Sequence, residues 1–288
     1  MPQANPLNQI RKALTEPVVR YIQEPAARPL VYAFKETPIT PNQVTFLSAL
    51  LAIVSAWFFS HGDTRSMIQG GIIFEISLIL DSVDGELARA KGMASEWGRI
   101  VDGIGDYVSS IAVLIGLMIG MPGSQGALLV MALLIFLRGV TFDYFKESMS
   151  NRIKNGYDGP GRDIRKTYEK YSAAPSAILK IYFYYLQLQR LIFRGQWSSL
   201  PGYETSQRNP LQEDVWPEEK RLRFYRNQRS LIALWSWNGP DLIFFLMAVL
   251  SCFAILENYL QWISGIMFAQ LLLTFTIHHL MIRNETSS

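Results

Sequence analysis

Four aspartates fall within 26 residues of a chain of 288, in the stretch from Leu80 to Tyr107, LDSVDGELARAKGMASEWGRIVDGIGDY. Asp81 and Asp84 are three residues apart with Ala88 a further turn on, so on a helix they share one face; Asp102 and Asp106, four apart, share a face on the next. Carboxylate oxygens are the ligands that Mg²⁺ and Mn²⁺ take. Four anions packed together beside apolar chain repel one another, and each costs about 3 kcal/mol or more at membrane depth. Arg89 and Arg99 are too few to balance them. Two divalent ions about 3.5–4 Å apart would do so, and such a pair is the usual device for displacement at a phosphate, because it clamps the phosphate oxygens and stabilises the leaving group. A diphosphate substrate suits that arrangement. Gly85 directly follows Asp84, while Gly98, Gly103 and Gly105 flank Asp102, and a missing Cβ lets a helix or a ligand approach closely. For Gly103 and Gly105 helix packing is the simpler reading. Any single aspartate here could equally be a solvated residue at a helix end; the spacing of all four favours a metal site.

The elements that must carry these residues are apolar. Six segments stand out, at 44–60, 67–80, 99–120, 126–145, 231–255 and 259–282. Crossing the hydrocarbon core takes ~20 apolar residues, with about 17 to 25 tolerated. Five of the six meet that length, and the second does so if it continues through Asp81 to Val83. A soluble domain would carry charge on the outer face of every helix, so the segregation excludes one, and it excludes disorder as well. Lys and Arg set the orientation. With both ends cytoplasmic, the inner segments hold 24 of the 27 basic residues and the outer connections hold Arg65 alone, as the positive-inside rule requires. The net charge of +3 then describes a basic membrane face, not a nucleic-acid binder. The single cysteine, Cys252, reads as a buried thiol in the fifth span.

Residues 1–40 form a lead in which Leu7, Ile10, Leu14, Val18 and Tyr21 recur at helical spacing, the pattern of a helix lying in the membrane surface. Pro17 would kink it unless it opens a second piece. Residues 41–145 make the catalytic membrane core, 146–230 a mostly helical cytoplasmic insertion, and 231–288 the last two spans with a short tail. Within the insertion, 176–193 is rich in aromatic and aliphatic residues but carries Lys180 and Arg190, so it reads as an interfacial helix and not a seventh span. Glu75 and Arg138 are charges in mid-span, and a pair between them is the first expectation, since isolated charges there are costly. Asp241 beside Pro240 is expected to cap or kink the start of the fifth span, and His278 and His279 to lie at the membrane boundary.

Asp81, Asp84, Gly85, Ala88, Arg89, Gly98, Asp102 and Asp106 together reproduce, without gap or substitution, the signature of the CDP-alcohol phosphotransferases. The run Thr40-Pro41-Asn42-Gln43-Val44-Thr45 also resembles that family's approach to its first span, with Asn42 and Thr45 lining the site. The resemblance implies that Asp81, Asp84 and Asp102 bind a pair of Mg²⁺ or Mn²⁺ ions, and that Asp106 also reaches a metal and acts as general base. It implies that Gly85, Ala88, Arg89 and Gly98 contact the cytidine nucleotide. The reaction would be transfer of a phosphatidyl group from a CDP-alcohol, CDP-diacylglycerol above all, to a small alcohol with release of CMP, in a homodimer.

The architecture expected is all-α, a six-helix membrane bundle with an N-terminal interfacial helix and a helical cytoplasmic insertion. Two competing functions stay in view. An intramembrane prenyltransferase also binds Mg²⁺ on aspartates, but from two separated motifs, and here there is one cluster. A divalent-cation transporter or a non-catalytic membrane protein is the other; ion pathways place charge near the bilayer midplane, whereas these aspartates sit at its cytoplasmic edge.

Overall fold

The structure, a computed structural model, describes residues 10–94, 96–195, 197 and 215–286, and of residues 96, 97, 99–102, 104 and 282–286 the backbone only. The described residues are mostly helical, with no strand among them. In chain order come α1 (Ile10–Leu14), a π-helical turn (Val19–Gln23) leading into α2 (Glu24–Phe34), α3 (Pro41–Phe59), α4 (Thr64–Ala90), α5 (Glu96–Gly120) and α6 (Gln125–Lys154). Then follow α7 (Gly159–Ala173), α8 (Ala177–Arg194), α9 (Glu218–Trp235), a short 3₁₀ turn (Ser236–Asn238), α10 (Asp241–Cys252) and α11 (Leu256–Thr286). The chain forms two compact units, one of Glu16–Phe136 with Pro240–Leu273, the other of Met1–Thr15, Leu137–Gly239 and Thr274–Ser288.

In the first of these units α3 packs against both α4 and α5, and α10 packs against α4. Local chemistry sets where the helices begin. Thr40 opens α3 with a capping box: its hydroxyl accepts from the Gln43 amide at 3.4 Å, and the Gln43 side chain accepts from the Thr40 amide at 2.9 Å, so two of the orphan donors at the helix start are met. Pro41 follows at the first position, where a missing N–H costs nothing. Asp63 caps α4, accepting from the Ser66 amide at 3.0 Å, and hydrogen bonding from Ser66 holds its carboxyl below the ordinary range.

Without a hydrophobic drive between helices in lipid, close packing and hydroxyl bridges must join them. Ser48 and Ser77 exchange hydroxyl-to-carbonyl hydrogen bonds across α3 and α4 at 3.1 and 2.9 Å, and Ser55 donates to the Gly70 carbonyl at 2.8 Å. Gly71 lets α4 close on α10: a Cβ there would stand 2.7 Å from the Cys252 amide nitrogen. Gly116 and Gly120 on α5 do the same against the α3 backbone at Ala56 and Phe59.

The other unit is built on aromatic packing. Ile10, Leu14, Phe145, Met149, Tyr225 and Trp235 share one buried cluster, with the Phe145 and Trp235 rings stacked at 4.8 Å. His278 lies inside that group and takes the Trp235 indole N–H on Nδ1 at 3.1 Å. It is therefore buried within protein and not a boundary residue; His279 is exposed.

Several sequence expectations change in detail. The lead is not one helix: it breaks at Thr15 and Glu16, and Pro17 opens the second piece. Ile10, Leu14 and Val18 of the predicted stripe are covered by protein, Tyr21 is exposed, and Leu7 lies outside the described residues. α6 runs nine residues past the predicted end of the fourth span, to Lys154. The predicted fifth span is interrupted. The 3₁₀ turn and Gly239-Pro240 separate α9 from α10, because proline supplies no N–H and displaces the preceding turn. Asp241 follows that proline as the first residue of α10, at the predicted kink.

Among the described residues four helices are long and apolar enough to cross a membrane, α3, α4, α6 and α11 to Met281, or five if α9 and α10 count as one bent span. α5 counts as a shorter apolar helix from Gly105 to Gly120. α8 does not qualify as a span. Arg138 is fully buried and its guanidinium donates to the Trp237 and Gly239 carbonyls at the interruption. Glu75 keeps one buried carboxylate oxygen, Oε2, without a hydrogen-bond partner among the described residues.

Candidate active site

α4 continues without a break through the first half of the aspartate motif. Asp81 and Asp84 therefore stand on successive turns of one helix, Asp81 half-buried and Asp84 only 4% exposed. Val83 and Leu87, on the same stretch, pack into an apolar cluster with Ala27 and Val44, and this fixes the rotation of the helix about its axis. A carboxylate as buried as Asp84 is costly unless positive charge accompanies it. α5 is helical from Glu96, so Asp102 and Asp106 lie one turn apart, about 6 Å along the axis. Asp106 is exposed, and Ser110 donates to its backbone carbonyl at 2.7 Å. The side chain of Asp102 lies outside the described residues, so its meeting with the other three does as well. Among the described side chains, no three groups of metal-ligand type converge.

Gly85 has the Arg89 guanidinium folded back over it, with Nη1 3.3 Å from where a Cβ would stand. Arg89 is exposed in the last turn of α4, where a cation also complements the helix dipole. Ala88 and Gly98 are half-buried. Asn42 is exposed in the first turn of α3, whereas Thr45 is buried and its hydroxyl donates to the Pro41 carbonyl at 3.2 Å. The Thr45 methyl lies 3.5 Å from where a Cβ on Gly105 would stand, so Gly105 is a contact between α3 and α5, as its packing reading required. The structure thus sets Asp81, Asp84, Gly85, Ala88 and Arg89 along one helical stretch, and Thr45 beside the helix that bears Asp106. The donor set suits a hard divalent cation, being carboxylate oxygens throughout with no thiol or imidazole.

Sequence reasoning passed over Lys91. It caps the C-terminus of α4, and its ammonium donates to the Thr37 carbonyl at 2.6 Å and the Ile39 carbonyl at 2.7 Å. The end of the motif helix is thereby tied to the segment that leads into α3. A basic residue at a helix end gives no signal of a contact more than fifty positions away. Lys91→Met is expected to lower stability by about 2 kcal/mol, the worth of a charge-assisted hydrogen bond, with Lys91→Arg retaining part of it. Thermal unfolding midpoints in detergent check this, and a Met variant as stable as the parent would show that the tether is idle.

Residues 38–195 match the sequence pattern of the CDP-alcohol phosphatidyltransferase family. The archaetidylinositol phosphate synthase of Pyrococcus horikoshii is 35% identical over 82 residues, 28% of this chain and 42% of that protein. A bifunctional IPC transferase and DIPP synthase of Rubrobacter xylanophilus is 33% identical over 124 residues, 40% of this chain and 28% of its own length. The phosphatidylinositol phosphate synthase of Cutibacterium acnes is 27% identical over 134 residues, 44% and 63% of the two chains. The chain thus spans less than two thirds of each of these relatives. Its long apolar helices accord with an integral membrane protein. With the pattern matched over more than half of its length, the chain belongs to the CDP-alcohol phosphatidyltransferase family, a family of transferases.

Proposed function

We propose that this protein transfers a phosphatidyl group from a CDP-alcohol, CDP-diacylglycerol first among them, to the hydroxyl of a small polar alcohol with release of CMP, in phospholipid biosynthesis. The observation that carries the reading is the complete eight-residue signature, whose first five positions lie on the unbroken α4 and whose last three lie on α5. Asp81, Asp84, Asp102 and Asp106 would hold Mg²⁺ or Mn²⁺. When bound, the ions supply positive charge to the diphosphate and to the leaving CMP. Asp106 takes the proton of the acceptor hydroxyl as its oxygen attacks the β-phosphorus, and the bond from that phosphorus to the oxygen of the departing CMP breaks. Arg89, Gly85, Ala88 and Gly98 border the nucleotide, and Asn42 and Thr45 line the approach.

The wider reading assigns six spans with α5 and α10 among them, an N-terminal interfacial segment, both termini and the site on the cytoplasmic side, and a homodimer. Residues 1–40, 41–145, 146–230 and 231–288 serve as lead, catalytic membrane core, insertion and final spans. The names of the relatives place phosphorylated inositol lipids among their products, which makes inositol phosphate the first acceptor to test.

The test is CMP release from CDP-diacylglycerol by the reconstituted protein over a panel of acceptors that includes inositol phosphate, inositol, glycerol 3-phosphate and serine. Release is expected with one acceptor, to be lost with a chelator and restored by Mn²⁺ or Mg²⁺. Release that survives complete chelation would remove the metals from the reading. A folded protein silent with every donor and acceptor would remove the transfer itself.

A further inference from the structure

Five of the ten residues from Lys220 to Arg229 in α9 are basic and none is acidic. One side of the helix is taken up by packing: Tyr225, Leu231, Ile232 and Trp235 enter the aromatic cluster, and Gln228 is 2% exposed. Arg223, Arg226 and Arg229 stand on the other side, each exposed. At steps of three residues they cover an arc of about 120°, so the three side chains share one outward face. No carboxylate pairs with any of them among the described residues. Arg226 Nε donates to the Leu222 carbonyl on its own helix at 3.5 Å, which leaves its charge unbalanced.

Contacts within the same compact unit fix the depth of this face. α6 and α9 run antiparallel. Arg138 donates to the Gly239 carbonyl at 3.3 Å, the Phe145 and Trp235 rings stack at 4.8 Å, and Arg221 donates to the Lys154 carbonyl. α6 is long and apolar enough to cross a membrane, and its apolar segment ends at Phe145, before Lys146 and Glu147. Arg223, Arg226 and Arg229 fall between the Phe145 and Lys154 contacts, alongside the polar turns 146–154 that follow the hydrocarbon. The layer met there is that of the headgroups. Each basic residue close to an anionic surface adds attraction, and the planar fork of a guanidinium matches the oxygens of a phosphate.

We propose that the outward face of α9, through Arg223, Arg226 and Arg229, binds the phosphates of anionic phospholipid headgroups at the membrane surface. The face uses none of the aspartates, so it stands or falls apart from the transfer reaction.

The full chain, purified in neutral detergent, is titrated with short-chain phosphatidylglycerol, short-chain phosphatidylcholine or inorganic phosphate while its thermal unfolding midpoint is followed. Phosphatidylglycerol is expected to raise the midpoint saturably, well ahead of phosphatidylcholine. Arg223→Gln, Arg226→Gln and Arg229→Gln should each raise the half-saturating concentration about fivefold, and the triple variant about a hundredfold. Lys166→Gln, which removes an exposed cation of α7, leaves it unchanged. If the triple variant does not fold, the three single variants carry the test. A response that is absent, that the arginine variants leave unaltered, or that Lys166→Gln weakens equally overturns the proposal and leaves this face to water or to an acidic protein. An equal response to phosphatidylcholine overturns the requirement for an anionic headgroup, and an equal response to inorganic phosphate at matched concentration overturns the lipid assignment in favour of a soluble phosphate.

Discussion

Asp106→Asn is expected to slow CMP release by about a hundredfold to ten-thousandfold, the usual contribution of a positioned base. A hydroxyl is a weak nucleophile at neutral pH, and the amide that replaces the carboxylate is isosteric but accepts no proton. Because the nucleotide is assigned to Gly85, Ala88, Arg89 and Gly98, donor binding should largely survive, so the loss should appear in kcat far more than in donor affinity. The position suits such a variant. Asp106 is exposed on α5, and Ser110 meets its backbone carbonyl, a hydrogen bond that the substitution leaves in place. Paired measurements of CMP release and of CDP-diacylglycerol binding decide the point. A variant that turns over at the parent rate would move the base elsewhere.

Gly116→Ala should have the largest effect on stability. A Cβ at Gly116 would stand 2.8 Å from both the carbonyl carbon and the Cα of Ala56, inside the distance at which such atoms are found. The obstruction is backbone, which no side-chain rotation relieves, so α3 and α5 must move apart. Overpacking of this kind costs about 3 kcal/mol, and in a bilayer close packing is itself what holds helices together. Activity should fall too, since α5 bears Asp102 and Asp106 while α3 bears Asn42 and Thr45. Gly265→Ala on α11, with nothing within 4 Å of the new atom, is the matched comparison and should change stability by less than about 1 kcal/mol. Equal unfolding midpoints for the two variants would show that the α3–α5 contact is not tight.

Local chemistry was readable in the sequence; distant contacts were not. The first apolar segment was placed at 44–60, and α3 begins three residues earlier, at Pro41, behind the Thr40 capping box. Asp81 and Asp84 could be set on one helical face from spacing alone. The fifth span misled because its apolar content reads as continuous, although Asn238-Gly239-Pro240 is a breaking sequence. α6 outran its apolar segment because helix-forming polar residues carry the helix past the point where hydrocarbon would end. In the lead, spacing shows that Ile10 and Leu14 share a face, not whether lipid or protein covers it, and the structure covers both with protein. Lys91 lay beyond reach altogether, since its acceptors are backbone carbonyls, which have no signature in side-chain types.

The interruption before α10 bears on how the chain is made. At twelve residues, α10 is about 18 Å long, too short to enter a bilayer by itself. Arg138, inside α6, is costly in lipid while its acceptors are missing, and the Gly239 carbonyl that it binds is supplied 101 residues later in synthesis. Arg138 therefore lacks these acceptors until residues 237–239 have emerged from the ribosome. The hydrogen bonds that settle Arg138 inside α6 thus form late in synthesis, after the chain has run on by 101 residues to Gly239.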